Sequence, residues 1–520
     1  MKSSSNHFRG LVLAISLLGL AARFATAATV PPSAPNIVYV LCDDLGYGDV
    51  QVLNPTRGKI KTPHVDRLAS QGMIFTDAHS GSSVCTPTRY GVLTGRYSWR
   101  SRLQNGVLGG FSPPLIVPGR LTVADFLRAQ GYATACIGKW HLGWDWPVKA
   151  GGDAKKGGVA ANVDYSAPIR HGPTTVGFDY YFGISASLDM APFVFIENDR
   201  VTAIPSVEKT FVRKGPAAPD FEAEDVLPIL ARKASAYVRE KAVAARQGKP
   251  FFLYLPLNSP HAPILPTKEW KGKSGLGDYA DFVMETDWAL GEVLAAIDAA
   301  GISDNTLVVF TSDNGCSPVA QVDKLELQGH FPSAQYRGYK SDIWEGGHRV
   351  PFIVRWPARV AAQSKSDQLI CLTDLLATCA DVLGVELPGT AGEDSVSLLP
   401  AFTRKDTGPL HEAVVHHSIS GAFALRQGQW KLEMAPGSGG WGAPNDFEAK
   451  AASLPEIQLY NIVTDPAETK NVQAEYPEIV ARLRGVLERT ISEGRSTPGP
   501  KRPNDVPVVI VKPNVKSLAR

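Results

Sequence analysis

Four short runs constrain what this chain can fold into more than any other feature. Ile37–Cys42, Tyr132–Ile137, Pro250–Leu257 and Thr306–Thr311 are largely apolar, with many β-branched and aromatic residues, which is how strands buried on both faces of a parallel sheet read. Helical patterns lie between them: Thr62–Gly72, with proline near its start and glycine at its end, Leu121–Gln130 closed by Gly131, Asp225–Gln247, and Asp278–Ala300 closed by Gly301. Strand alternating with helix predicts an α/β fold with a mostly parallel, doubly wound sheet. Open sheets of this kind bind ligands beyond the carboxyl ends of their strands. Here the four runs end in Asp43-Asp44, Lys139 with His141, His261, and Asp313-Asn314, so the fold would gather carboxylates, an amide, two histidines and a lysine at one rim.

A second feature lies between the first two runs: Cys85-Thr86-Pro87-Thr88-Arg89, continued by Tyr90-Gly91-Val92-Leu93-Thr94-Gly95-Arg96. It puts a sulfur and a guanidinium at the mouth of a helix, a place to hold an anion. A lone cysteine near a proline also reads as a small buried hydrophobe. Asp43, Asp44, Asp313 and Asn314 offer only oxygen, so they suit a hard cation such as calcium, with about six to eight oxygen ligands, and not zinc. Asp-Asp before a glycine turn and Asp-Asn-Gly are each common turn sequences; together at neighbouring strand ends they read as a metal site.

Composition excludes some partners. The 520 residues carry 53 basic and 51 acidic side chains, a net charge of +2, which leaves no polybasic face and no expectation of nucleic acid. Lys2, Arg9, the apolar run Leu11–Leu20 and Ala25-Thr26-Ala27 read as a signal peptide over residues 1–27. That run is shorter than the roughly 20 residues a spanning helix needs, so the expected location is secreted or periplasmic without a membrane span. The six cysteines are too few and irregular for a disulfide framework, and a Cys371–Cys379 pair stays open. A catalytic domain is expected over 28–404, with glycine-rich loops over 151–172 and 182–189, a strand at Phe352–Pro357 and a helix at Asp374–Gly384. Alternating strands at Glu412–Ile419, Phe423–Arg426, Trp430–Met434 and Ile457–Ile462, with a helix at Pro477–Gly494, predict a smaller antiparallel-sheet α+β subdomain over 405–495. Residues 496–520 read as an extended tail.

The run Cys85–Arg96 resembles the sulfatase signature, and Gly131–His141 resembles the second signature of that family. Asp43-Asp44, Pro260-His261, Ser312–Gly315, Gly338-Tyr339-Lys340 with Glu345-Gly346-Gly347, and Leu459-Tyr460-Asn461 with Asp465–Glu468 are similar to sulfatases of the arylsulfatase type. The resemblance covers nearly the whole chain beyond the leader. It implies an alkaline-phosphatase-like fold and makes Cys85 a precursor that a maturation enzyme oxidises to formylglycine. It implies calcium held by Asp43, Asp44, Asp313, Asn314 and the residue at position 85. Sulfate binding and proton transfer fall by the same resemblance to Arg89, Lys139, His141, His261 and Lys340, with Ser187 matching a sulfate-contacting serine. One hydroxyl of hydrated formylglycine would attack sulfur, His261 or Lys340 would protonate the leaving alcohol, and His141 would take the proton that frees sulfate. The expected activity is hydrolysis of a sulfate ester on carbohydrate, and the similar proteins include N-acetylgalactosamine-6-sulfatases. Trp144, Asp145, Trp146 and His348 read either as walls of a sugar pocket or as packing. A phosphate or phosphonate ester hydrolase on the same fold, and a non-catalytic sulfated-glycan-binding protein with Cys85 unconverted, are the alternatives. Oligomeric state is not indicated.

Overall fold

The computed structural model describes residues 34–149, 162–404 and 408–512. The signal peptide, part of the loop expected over 151–172 and the last residues of the tail lie outside them. Strands run in chain order as β1 (Asn36–Asp43), β2 (Met73–Phe75), β3 (Ala78–His79), β4 (Ala133–Lys139), β5 (Tyr180–Ile184), β6 (Ile196–Glu197) and β7 (Arg200–Val201). They continue as β8 (Val207–Phe211), β9 (Arg213–Ala217), β10 (Phe251–Pro260), β11 (Thr306–Ser312), β12 (Phe352–Arg355), β13 (Ser364–Ser366) and β14 (Ile370–Cys371). One large sheet has the order β13-β2-β12-β11-β1-β10-β4-β5-β6-β7. Its centre, β11-β1-β10-β4-β5, is parallel, while β12 runs antiparallel to β11 and β6 antiparallel to β5.

The four runs singled out from the sequence are therefore side-by-side neighbours in the order β11, β1, β10, β4. Their composition explains the two layers. Along β1, Val38, Val40 and Cys42 join the core on one face while Ile37, Tyr39 and Leu41 join the core on the other, so every residue is apolar or paired and a strand with solvent on one face is ruled out. Helices α1 (Pro63–Ser70), α4 (Val226–Ala245) and α5 (Asp278–Ala299) cover the first face; α2 (Cys85–Thr94), α3 (Val123–Ala129) and the helix Leu375–Leu383 cover the second. The start of α1 is satisfied across the fold, because the Asp287 carboxylate on α5 accepts from the His64 and Val65 amides at 3.1 and 2.8 Å.

Strands β15 (Val414–His417), β16 (Phe423–Gln427), β17 (Trp430–Glu433) and β18 (Gln458–Asn461) form a separate antiparallel sheet, with the helix Pro477–Glu493 packed on it. Its joint with the main body has an apolar part, where Tyr97, Trp99 and Cys371 pack with Val414 and Phe423, and a buried polar part. Lys431 bridges Glu345, Glu433 and Glu468 at 3.3, 3.1 and 2.7 Å, and the ring of His416 stacks on His348 at 3.9 Å.

One sequence expectation changes, and two further points gain detail. The segment from Phe182 onward is not all loop: Tyr180–Ile184 is β5, in parallel register with β4. Cys371 and Cys379, whose pairing the sequence leaves open, are both free and buried; Cys371 sits in the core under the small sheet and Cys379 in the main core. The described part of the tail has no helix or strand, but it is held down: Asp505 pairs with Arg96 at 3.0 Å and Asn504 accepts from Arg100 at 3.0 Å.

Candidate active site

The carboxyl ends of β1, β4, β10 and β11 converge as expected from their adjacency. Asp43 closes β1, and Asp44 follows at φ 65°. That left-handed turn, which Asp tolerates better than most residues, keeps two successive carboxylates in the same place. The Asp44 amide donates to Asp313 Oδ1 at 3.2 Å, and the Asn314 amide nitrogen donates to Asp44 Oδ1 at 2.8 Å, which ties the ends of β1 and β11 together. Ser312 Oγ accepts from the Leu45 amide and donates to the Asn314 carbonyl, setting the turn from behind.

Cations surround these oxygens. Arg89, one turn into α2, places Nε and Nη2 at 3.0 and 2.7 Å from Asp313 Oδ2 and lies 3.5 Å from Asp43. Lys139 Nζ is 2.7 Å from Asp43 Oδ2 and Lys340 Nζ is 2.8 Å from Asp44. His261 Nε2 is 3.6 Å from Asp44, and its Nδ1–H donates to the Ala262 carbonyl. All of these side chains are buried. Burial alone would raise the Asp43 pKa, but Lys139, His261, Arg89 and Lys340 outweigh it and hold the carboxyl well below the usual range. Asp313 goes the other way, pushed up to about 6 by burial and by the charge of Asp43.

Two oxygens in this cluster have no hydrogen-bond partner, although Asp43 Oδ1 lies 3.5 Å from Arg89 Nη2. Asp43 Oδ1 and Asn314 Oδ1 are buried and accept no hydrogen bond, although buried acceptors are nearly always satisfied. A cation bound by oxygen alone fits that vacancy in the hydrogen-bond network. Asp43, Asp44 and His261 also present ligand atoms within 4.8 Å of one another.

Cys85 is the first residue of α2 and is buried, so its side chain stands at the positive end of the helix. Gly95 at φ 62° closes the same helix. Burial pushes the Cys85 thiol up against the pull of Lys139 and Lys340. His141, at φ 56°, donates from Nε2 to the Leu108 carbonyl at 2.6 Å, leaving a partnerless lone pair on Nδ1. Burial, with Lys139 and Arg89, holds its pKa well below the ordinary imidazole range.

Asp43, Asp44, Arg89, Lys139, His261, Asp313, Asn314 and Lys340 are joined by these contacts. Ser187 touches none of the others directly; its Oγ is buried and partnerless, two residues beyond Ser185, whose carbonyl accepts from the His141 amide at 3.1 Å. Trp144 and Trp146 pack with Trp140, Tyr165 and Tyr181 in the core, and His348 is buried between His79 and His416, so these three are packing. Asp145 is exposed and pairs with His171. Sequence reasoning missed Tyr279, whose hydroxyl donates to Asp49 Oδ2 at 2.5 Å and lies 3.2 Å from the Asp44 carbonyl, because a tyrosine in an amphipathic helix carries no local sign of such a contact.

A rim of carboxylates and cations around a helix N-terminus, on an alkaline-phosphatase-like sheet, defines a hydrolase of oxyanion esters. The sulfatase family profile matches residues 35–385. An N-acetylgalactosamine-6-O-sulfatase from Bacteroides thetaiotaomicron is 34% identical over 87% of this chain and 92% of its own length. Human arylsulfatase A is 30% identical over 90% and 89%. A solved structure reported under the metabolism of multiple glycosaminoglycans by Bacteroides thetaiotaomicron superposes with a TM-score of 0.76 at 32% identity, covering 88% of this chain and 99% of that one. The chain belongs to the sulfatase family and is a sulfuric ester hydrolase.

Proposed function

We propose that this sulfatase is exported, holds calcium, acts through formylglycine at position 85, and removes sulfate from a terminal sulfated sugar, with 6-sulfated N-acetylgalactosamine the leading candidate. The observation that carries the reading is that two buried oxygens of an oxygen-only set, Asp43 Oδ1 and Asn314 Oδ1, accept no hydrogen bond. The names of the relatives support the sugar. Among the described residues no helix is long and apolar enough to cross a membrane.

Asp43, Asp44, Asp313 and Asn314 would hold the calcium, with position 85 completing the set. Formylglycine, made from Cys85 by a maturation enzyme, would supply the attacking oxygen as its hydrate, and a calcium held by these residues would supply Lewis acidity beside it. Arg89, immobilised by Asp313 and Asp43, keeps the carboxylate rim in register. Lys139 and Lys340 neutralise charge growing on the sulfate oxygens, and Ser187 Oγ donates to one of them. His261 holds a proton at Nε2 for the leaving alcohol, with Lys340 Nζ as a second donor. His141, neutral, accepts at Nδ1 the proton whose removal frees sulfate. Overall, water and the sulfate ester give the alcohol and sulfate.

The test compares N-acetylgalactosamine 6-sulfate, a long sulfated polysaccharide and a steroid sulfate at equal sulfate concentration, with mass spectrometry of the Cys85 peptide. Preferred turnover of the chain-end sugar and an aldehyde at position 85 are expected. Preference for the steroid would remove the sugar class, and full turnover by protein retaining the thiol would remove the chemistry.

A further inference from the structure

Beyond β5, the segment Ser185–Asp189 carries a series of buried polar atoms that no protein group satisfies. Ser185 Oγ, Ser187 Oγ and Asp189 Oδ1 have no hydrogen-bond partner, nor does His141 Nδ1, and Asp189 is only 8% exposed. The segment is fixed to the site through its backbone, since the Ser185 carbonyl accepts from the His141 amide at 3.1 Å and the Trp144 indole at 3.2 Å. Unsatisfied buried acceptors at this density mark a place where a ligand supplies the donors.

Asp189 has one further neighbour. Its Oδ2 lies 3.6 Å from the guanidinium of Arg213, close enough to orient the carboxylate and too far for a hydrogen bond, so both oxygens keep accepting capacity. Arg213 opens β9, in the hairpin β8–β9, and the hairpin is locked onto the segment that follows Asp189. The Phe193 amide donates to the Pro216 carbonyl and the Ala218 amide to the Phe193 carbonyl, each at 2.9 Å, and a Cβ on Gly215 would lie 2.3 Å from the Ala191 side chain. The Arg213 side chain is otherwise 61% exposed.

An ionised carboxylate only accepts. It repels a sulfate group and binds hydroxyls, so its place is on the alcohol side of the scissile bond. We propose that Asp189, oriented by Arg213, reads hydroxyls of the sugar that carries the sulfate; the assignment rests on the sugar-sulfatase reading above. Asp189 is a specificity residue and Arg213 its positioning residue.

The experiment measures kcat and KM of wild type, Asp189→Asn and Arg213→Gln on N-acetylgalactosamine 6-sulfate and on 4-nitrophenyl sulfate, whose leaving group has no further hydroxyl. A charge-assisted hydrogen bond sets the scale: Asp189→Asn lowers kcat/KM on the sugar about 10–100-fold, mainly through KM, and on the aryl ester by less than about 2-fold, on the same scale. Arg213→Gln shifts the sugar in the same direction by less. Equal losses on both substrates, or none on the sugar, overturn the assignment of Asp189 while leaving the proposed substrate class standing. A wild type that cleaves the aryl ester and no sulfated sugar overturns the substrate class, and the role of Asp189 falls with it.

Discussion

At residue scale, the site depends on which atoms are left without partners. Asn314 uses its amide nitrogen on Asp44 and Gly315, which leaves its buried oxygen without a hydrogen-bond donor from the protein. Asp313→Ala is expected to lose bound calcium and turnover together, with calcium content of the purified protein measured beside activity; full calcium content in an inactive variant would take Asp313 out of the ligand set. Cys85→Ala is expected to fold, with a melting temperature close to wild type, because the replacement removes one sulfur from a site that makes no thiol hydrogen bond in this structure. Its turnover is expected at background, and wild-type rates from it would end the proposed role of position 85.

At element scale, close approach decides where the strand ends sit. Gly138 and Gly183 are register partners on β4 and β5, and a Cβ on Gly183 would fall 1.8 Å from the Gly138 carbonyl oxygen. Lys139 and the Ser185–Asp189 segment both follow directly from this contact. Gly183→Ala is therefore expected to cost about 1–3 kcal/mol through forced separation of the strands, read from urea denaturation. It should also lower turnover, because β5 carries Ser187 away from His141; unchanged stability would mean that the sheet absorbs the methyl group without shifting.

At the scale of the whole molecule, the small sheet is joined to the main body by an apolar contact around Trp99 and Phe423 and by buried charge. Lys431 from β17 is the common cation of Glu345, Glu433 and Glu468, and Glu345 in turn pairs with Arg349 at 2.7 Å. Burial opposes ionisation of Glu345, but Lys431, His79 and Arg349 hold its pKa well below the ordinary range. A lowered folded-state pKa contributes stability above the usual glutamate range and loses it as pH falls. Lys431→Met leaves buried carboxylates without that cation and is expected to cost about 3–5 kcal/mol, with the deficit in thermal unfolding shrinking toward acid pH. A variant as stable as wild type at neutral pH would show that the joint holds without its lysine.

The central sheet was legible because strands covered on both faces carry their burial in local composition: β1, β4, β10 and β11 are apolar wherever they are read. The polar ends of those runs were legible for the same reason, since a charged cluster that stops a buried strand stands out from it. Tertiary structure decided what depends on contacts distant in sequence. β5 is short, begins with two tyrosines and contains a glycine, so only its pairing with β4 makes it a strand; the antiparallel direction of β12 likewise follows from the route of the chain. The partnerless oxygens of Asp43 and Asn314, the burial of His348 against the small sheet, and the meeting of Asp189 with Arg213 are properties of pairs of residues brought together by folding. Residue type and spacing determined which groups could do the chemistry, and the packing of distant segments decided which of their atoms remain free to do it.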